Sequence, residues 1–278
     1  MSFHGKVAPK GETMPFLAEK LANSIRHPVG AVFAVLGSRE RWERWDRAAC
    51  SRYYDSIGQT RCEEALSRIG LGPPLDLNGL SYQLSAATSQ YTAGSPNSSP
   101  LSKLLASRNS TYAVILFLLV RTYRPSVVVE TGVSQGLSSA AMLAAMRLNG
   151  HGELFSIDIK PLAELGSVVP SELRDRWHLL SGDSVPTLRQ LLPTLEDVGI
   201  FVHDSLHTKE NMLEEFALAE KAGAPVIVAD NIELNRAFMD FFESDPNWMT
   251  QRVPYHYRYV MGIACRPIQS RKSEGKRS

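Results

Sequence analysis

The stretch "VVVETGVSQGLSSAAML", Val127 to Leu143, decides the fold. Val127 to Glu130 read as a strand that ends on an acid. A loop with Gly132 and Gly136 follows, and an alanine-rich segment with helical spacing then begins. Outward from this unit the alternation continues. "LSKLLASRNSTYAVILFLLVRTY" predicts the helix leading into strand "SVVVE", and "ELFSID", "WHLLSG", "GIFVHD" and "PVIVAD" predict four more strands. A helix and loop are expected between the first two of these, and a short helix "SVPTLRQLLPTL" before the third. The amphipathic helix "KENMLEEFALAEKAG", ended by Gly223, precedes the fourth. "LNRAFMDFFES" predicts a fifth helix, while "WMTQRVPYHY" and "RYVMGIACR" have no helix between them and predict a hairpin. Strands apolar throughout and alternating with helices mean a parallel sheet covered on both faces. The expected class is α/β, a doubly wound seven-stranded sheet with an antiparallel finish.

The chain divides near residue 100. Before it, "PFLAEKLANSIRHPVGAVFAVLG" and "RERWERWDRAACSRYYDSIGQTRCEEALSRIG" show helical spacing, with Trp45 and Tyr53 expected in their core and Gly70 to Pro74 stopping the run. Residues 1–99 are therefore expected to form a helical cap, with "YTAGSPNSSP" as a hinge or lid. The α/β domain spans 100–268, and 269–278 is a basic tail without apolar anchors.

Composition narrows the function classes. The 278 residues are 44% hydrophobic and 21% charged, with a net charge of +1, so no global field points to nucleic acid or an anionic membrane. Three cysteines, Cys50, Cys62 and Cys265, are not closely spaced and form neither a metal pattern nor a disulfide framework. The N-terminus lacks a secretory core, and "AVILFLLV" is too short to span a bilayer. A cytoplasmic location is expected.

The glycine loop narrows them further. In wound sheets ligands bind outside the carboxyl ends of the strands, where the winding reverses. Gly132 and Gly136 let the backbone turn sharply and approach a ligand, the next helix offers N–H groups, and Ser134 and Ser138 add hydroxyls. A dinucleotide site needs G-x-G-x-x-G, but the spacing here is G-x-x-x-G, with Val133 and Ser134 where the second glycine would be. Glu130 would repel a pyrophosphate and better suits a cofactor carrying an ammonium and a sulfonium. Asp158 ends the next strand, well placed to accept from two ribose hydroxyls.

With these residues the sequence resembles the class I S-adenosylmethionine-dependent methyltransferases over roughly residues 100 to 266. The resemblance rests on "ETGVSQGLS", "SIDIK", "SGDSVPTL" and the closing hairpin. It implies that Glu130, Gly132, Ser134, Gly136 and Ser138 hold the methionine end of the cofactor. It further implies Asp158 at the ribose, and Gly182, Asp183 and Ser184 near the adenine.

Strand four ends "FVHDSLHTKEN" and strand five ends "VIVADNIE". As neighbours about 4.8 Å apart, they would bring Asp204 and the pair Asp230–Asn231 together above the sheet. Two carboxylates and an amide oxygen form a hard oxygen set suited to Mg²⁺ or another divalent cation. Here the chain is similar to catechol O-methyltransferase and related cation-dependent enzymes, which implies Asp204, Asp230 and Asn231 as metal ligands and His207 as base. The Asp-x-Asp-His of some relatives is Asp204-Ser205-Leu206-His207 here, without the second acid. The wording also resembles methyltransferases acting on sugars and other natural products. His203, preceding Asp204, should face the other way, and His256 reads as a hairpin residue.

The expected activity is Mg²⁺-assisted methyl transfer to a hydroxyl of a small molecule such as a natural product, sugar or phenol. Alternatives are a metal-independent methyltransferase using His207 as base, a NAD- or nucleotide-binding oxidoreductase on a similar fold, and a protein that holds the cofactor without turnover. Nucleic acid and membrane are not expected partners, and a homo-oligomer is an open arrangement.

Overall fold

Apolar side chains fill nearly every position of the helix that leads into the sheet. In the computed structural model, which describes residues 110–256 and 259–266, this helix is α1, Ser110–Tyr123. Tyr112 to Val120 are all buried, so α1 is enclosed rather than amphipathic. The expected N-terminal cap, the "YTAGSPNSSP" loop and the tail lie outside the described residues.

Five parallel strands follow: β1 (Val127–Thr131), β2 (Glu153–Asp158), β3 (Trp177–Ser181), β4 (Val198–His203) and β5 (Val226–Ala229). The hairpin strands β6 (Met249–His256) and β7 (Tyr259–Cys265) complete one seven-stranded sheet of order β3-β2-β1-β4-β5-β7-β6. Only β7 runs antiparallel to its neighbours β5 and β6. The doubly wound sheet with an antiparallel finish is thus as the sequence predicts, and winding reverses between β1 and β4.

Alternation along the strands divides the core into two layers. Val128, Ile200, Val202 and Val228 face α1 and helix α2 (Leu137–Asn149). Val129, Phe201, Ile227 and Ala229 face the layer of α3 (Ser184–Leu191) and α4 (Lys209–Lys221), where Phe242 packs at tilted angles on Phe216 and Phe238 and edge to face on Trp248.

Three predicted helices differ from the structure. Between β2 and β3 there are two 3-10 turns, Leu162–Glu164 and Ser171–Arg176, each entered from a proline in an extended conformation, Pro161 and Pro170. Gly166, at φ +63°, breaks the segment between them, leaving no run long enough to nucleate an α-helix. The helix "SVPTLRQLLPTL" ends as α-helix at Leu191, because Pro193 has no N–H, and continues as the 3-10 turn Leu192–Thr194. The fifth helix is divided. A 3-10 turn, Ile232–Leu234, stops at the extended Asn235, whose Oδ1 accepts from Ala237 N, and a π-helical turn covers Met239–Glu243. The wide turn lets both Phe241 and Phe242 reach Phe216.

One further hydrogen bond beyond the strand ends aligns the carboxyl edge. Gly132 N donates to Ile157 O, Gly182 N to Asp158 O, Asp204 N to Thr131 O and Asp230 N to His203 O, at 2.8–2.9 Å. The glycine loop, Asp158 and the acids ending β4 and β5 therefore share one rim of the sheet.

Candidate functional site

Gly132 leaves β1 at φ +86° and lies hard against the next strand: a Cβ there would sit 1.9 Å from Asp204 O. Gly136, at φ +88°, similarly abuts Gly166 and Val169. Both glycines are thus required by close backbone approach as well as by their left-handed φ. Ser134 also has a positive φ, +50°, and its carbonyl accepts from Gly166 N while that of Gln135 accepts from Val168 N. The segment between β2 and β3 is therefore strapped to the glycine loop. At the start of α2 Gly136 gives no side-chain cap, and the first intrahelical bond runs from Ala140 N to Gly136 O.

Glu130 is fully buried beneath this loop. Its carboxylate accepts from Ser138 Oγ (2.6 Å), Ser139 Oγ (2.6 Å) and Ser156 Oγ (2.7 Å), and Trp177 Nε1 donates in turn to Ser156 Oγ. Burial raises its pKa; the three hydroxyls oppose the rise and Asp158 adds to it. The residue thus joins β1, β2 and α2. The Ser138 hydroxyl, expected at the loop surface, is turned inward to Glu130. Ser139 and Ser156 were not anticipated from the sequence.

Asp158 stands at the rim. Its Oδ2 accepts from Val133 N (2.8 Å) and Ser134 N (3.0 Å), and its Oδ1 from Lys160 N (3.0 Å). A carboxylate has about four acceptor positions, so capacity for a further donor remains. Ile159 beside it is 65% exposed and Leu162 is 50% exposed, giving an apolar ledge on the same side. Gly182 and the exposed Asp183 follow β3 on this rim, whereas Ser184 is buried and hydrogen bonds to Glu215.

Across the reversal point, Asp204, His207 and Asp230 each offer a ligand atom within 4.8 Å of the others. His207 Nε2 lies 3.6 Å from Asp204 Oδ1. Asn231, held at φ +54°, donates its amide Nδ2 to Asp230 Oδ2 at 2.6 Å. The structure thus brings together the two predicted carboxylates. His207, predicted as the base, joins them in the cluster, and Asn231 borders it through its bond to Asp230. Burial first, and then the adjacent Asp230 carboxylate, push the pKa of Asp204 well above the aspartate range. Two carboxylates and an imidazole at this spacing form a donor set that fits a divalent cation.

Behind this cluster lies a second, centred on the fully buried His203 and Glu215. His203 faces away from Asp204, as alternation requires, and its Nδ1 lies 2.7 Å from Glu215 Oε2. Glu215 also accepts from Thr131 Oγ1, Ser205 Oγ and Asn211 Nδ2. Its pKa is set by opposing effects: burial raises it, but the charge and hydrogen bond of His203, with the hydroxyls of Ser184 and Thr131, prevail and lower it to about 2. Glu215 escaped the sequence reading because, within "KENMLEEFALAEK", it looks like one more acid of a solvated helix face.

The family model for a methyltransferase domain matches residues 129–232, from β1 through the Asp230–Asn231 pair. The α/β part of this chain is thus similar to a methyltransferase domain. The resemblance read from the glycine loop and strand-end acids is borne out by this match. No curated protein sequence matches the chain. Among solved structures, a candidate O-methyltransferase from Klebsiella pneumoniae is similar at 16% identity and TM-score 0.50, covering 68% of this chain and 98% of that one. A methyltransferase from Geobacter sulfurreducens is similar at 20% identity and TM-score 0.48, over 63% of this chain and 90% of its own. The O-methyltransferase from Bacillus cereus in complex with SAH is 18% identical at TM-score 0.47, over 73% and 96% of the two chains. The Klebsiella likeness corroborates the methyltransferase fold.

Proposed function

We propose that this domain transfers a methyl group from S-adenosylmethionine to a hydroxyl of a small molecule, with a divalent cation held beside the transfer point. The observation that carries the reading is the packing of Gly132 against the carbonyl of Asp204. It places the loop expected to hold the donor in contact with the strand end that carries the cation cluster.

The residues fit the donor. The α2 N-terminus and the loop amides suit a carboxylate. Asp158 retains acceptor capacity for ribose hydroxyls, and Ile159 and Leu162 offer apolar surface to a flat base. Glu130, fully buried, acts on the methionine end through the loop it organises and through its field rather than by contact. S-adenosylmethionine would supply a methyl group on a sulfonium: the acceptor oxygen gains the C–O bond as the C–S bond breaks, S-adenosylhomocysteine leaves, and the hydroxyl proton is released. The protein must hold donor and acceptor in line and manage one proton. Asp204 and Asp230 would hold the cation, whose charge favours the ionised form of an acceptor hydroxyl. His207 would take the proton. The spacing within the cluster also favours a second role for His207, as third ligand.

The test incubates the protein with S-adenosylmethionine and a panel of phenols, sugars and hydroxylated natural products, and follows S-adenosylhomocysteine formation. Asp230→Ala should abolish turnover while leaving S-adenosylhomocysteine affinity largely intact. Undiminished turnover after exhaustive chelation would remove the cation from the mechanism and leave His207 acting alone. His207→Ala separates its two roles: a base loses turnover at unchanged cation affinity, whereas a ligand loses both.

A further inference from the structure

The chemistry above makes no use of Glu215, yet its side chain is fully buried and bonded to three elements besides its own helix. Burying a carboxylate is unfavourable unless its acceptor positions are met, and here they are. Thr131 is the last residue of β1, Ser184 the first of α3, His203 the last of β4, and Asn211 lies in α4.

These partners enclose the segment that carries the cation cluster. His203, immediately before Asp204, is fixed at 2.7 Å, and its ring sits edge-on to that of His207 with centroids 5.3 Å apart. Between Asp204 and His207 lie only Ser205 and Leu206. Ser205 Oγ donates to Glu215 Oε1 at 2.7 Å. Asn211 Nδ2, 2.9 Å from the same oxygen, also reaches the Leu206 carbonyl at 3.1 Å. One carboxylate therefore grips the chain immediately before Asp204 and, through Asn211, up to the residue before His207.

We propose that Glu215 is a positioning residue: by fixing His203, Ser205 and, through Asn211, Leu206, it sets Asp204 and His207 at the spacing that holds a divalent cation with Asp230. The proposal rests on the cation reading above. It differs from a purely structural staple in what it predicts. Glu215 reaches the glycine loop only through Thr131 at its base and does not reach Asp158, whereas it ties both flanks of Asp204, so donor binding should fall far less than cation binding on its loss.

The test uses the full chain. Mn²⁺ affinity is read from the loss of the free-ion electron paramagnetic resonance signal, and S-adenosylhomocysteine affinity from calorimetry, for the wild type, Glu215→Gln, Ser205→Ala and Asp230→Asn. Glu215→Gln should weaken Mn²⁺ binding by about 10–100-fold, the range for groups that orient metal ligands. It should leave S-adenosylhomocysteine binding within about twofold, and Ser205→Ala should shift Mn²⁺ in the same direction. Should Glu215→Gln fail to fold, Ser205→Ala decides, since it removes one tie without removing the buried charge. Wild-type Mn²⁺ affinity in the variants, with Asp230→Asn impaired, would overturn the positioning role and leave the cation reading standing. Equal loss of both ligands in folded protein would also overturn it, as a general scaffold effect. If the wild type and Asp230→Asn bind Mn²⁺ alike, the cation reading itself fails and takes the proposal with it.

Discussion

Gly132 shows how one position can bind two halves of a site. An alanine there would carry its Cβ to 1.9 Å from Asp204 O and would have to hold φ +86°. Strain of this kind costs about 1–3 kcal/mol before the clash is counted. Gly132→Ala should therefore lower the denaturation midpoint clearly and weaken cation and donor binding together, as urea melts and calorimetry would show. Asp204 provides a pH signature. Its folded pKa lies above the ordinary value of 3.8, so the folded state holds the proton more tightly than the unfolded chain. The stability this confers is fully present below 3.8 and is lost as pH rises through the raised value. With chelator present, Asp204→Asn should melt above the wild type at pH 7, with the gain vanishing in acid; an equal gain at both pH values would contradict the electrostatic cause. Gly132, Gly136, Asp158, Asp204 and Asp230 were legible in the sequence because turn sterics and strand-end position fix what they can do. The serines were not. Whether Ser138 and Ser184 face a ligand or a buried acid depends on Glu130 and Glu215, and a hydroxyl takes whichever acceptor the folded chain supplies.

At the scale of elements, legibility followed length and periodicity. The strands and α4 match the reading within a residue or two, because apolar runs and a helical stripe are signals spread over many residues. The segment between β2 and β3 does not, because two prolines and Gly166 outweigh its apolar content. Gly166 is further constrained by Trp177, whose ring would lie 2.1 Å from an added Cβ. Gly166→Ala should loosen the strap over the glycine loop, raising hydrogen exchange at Val168 N and Gly166 N, which bond to that loop. Unchanged exchange at those amides would show that the strap does not depend on this packing. Helix α4 begins at Thr208, whose Oγ1 accepts from Asn211 N at 3.3 Å. Thr208→Ala should cost about 1 kcal/mol in a urea melt, the usual value for a lost N-cap; no change would mean that Glu215 and Asn211 hold the start of α4 without it.

Over the whole molecule, the sheet order puts β1 between β2 and β4, so Asp158 and the Asp204–His207–Asp230 cluster flank a single loop. That arrangement was predictable from the order of strands and glycine turn, since a winding reversal places its loops side by side. The acceptor was not predictable, because a glycine turn and strand-end acids do not specify the shape of the pocket that receives it. Among the described residues no helix is long and apolar enough to cross a membrane. The central claim is that the rim from Asp158 to the α2 N-terminus holds the methyl donor. Its most direct test is a calorimetric titration of S-adenosylhomocysteine, with Mg²⁺ present, into the wild type and Asp158→Ala. One-to-one binding that weakens at least tenfold in the variant, a loss of about 1.4 kcal/mol, is the predicted result. No heat at micromolar protein, or equal binding by both proteins, would contradict it.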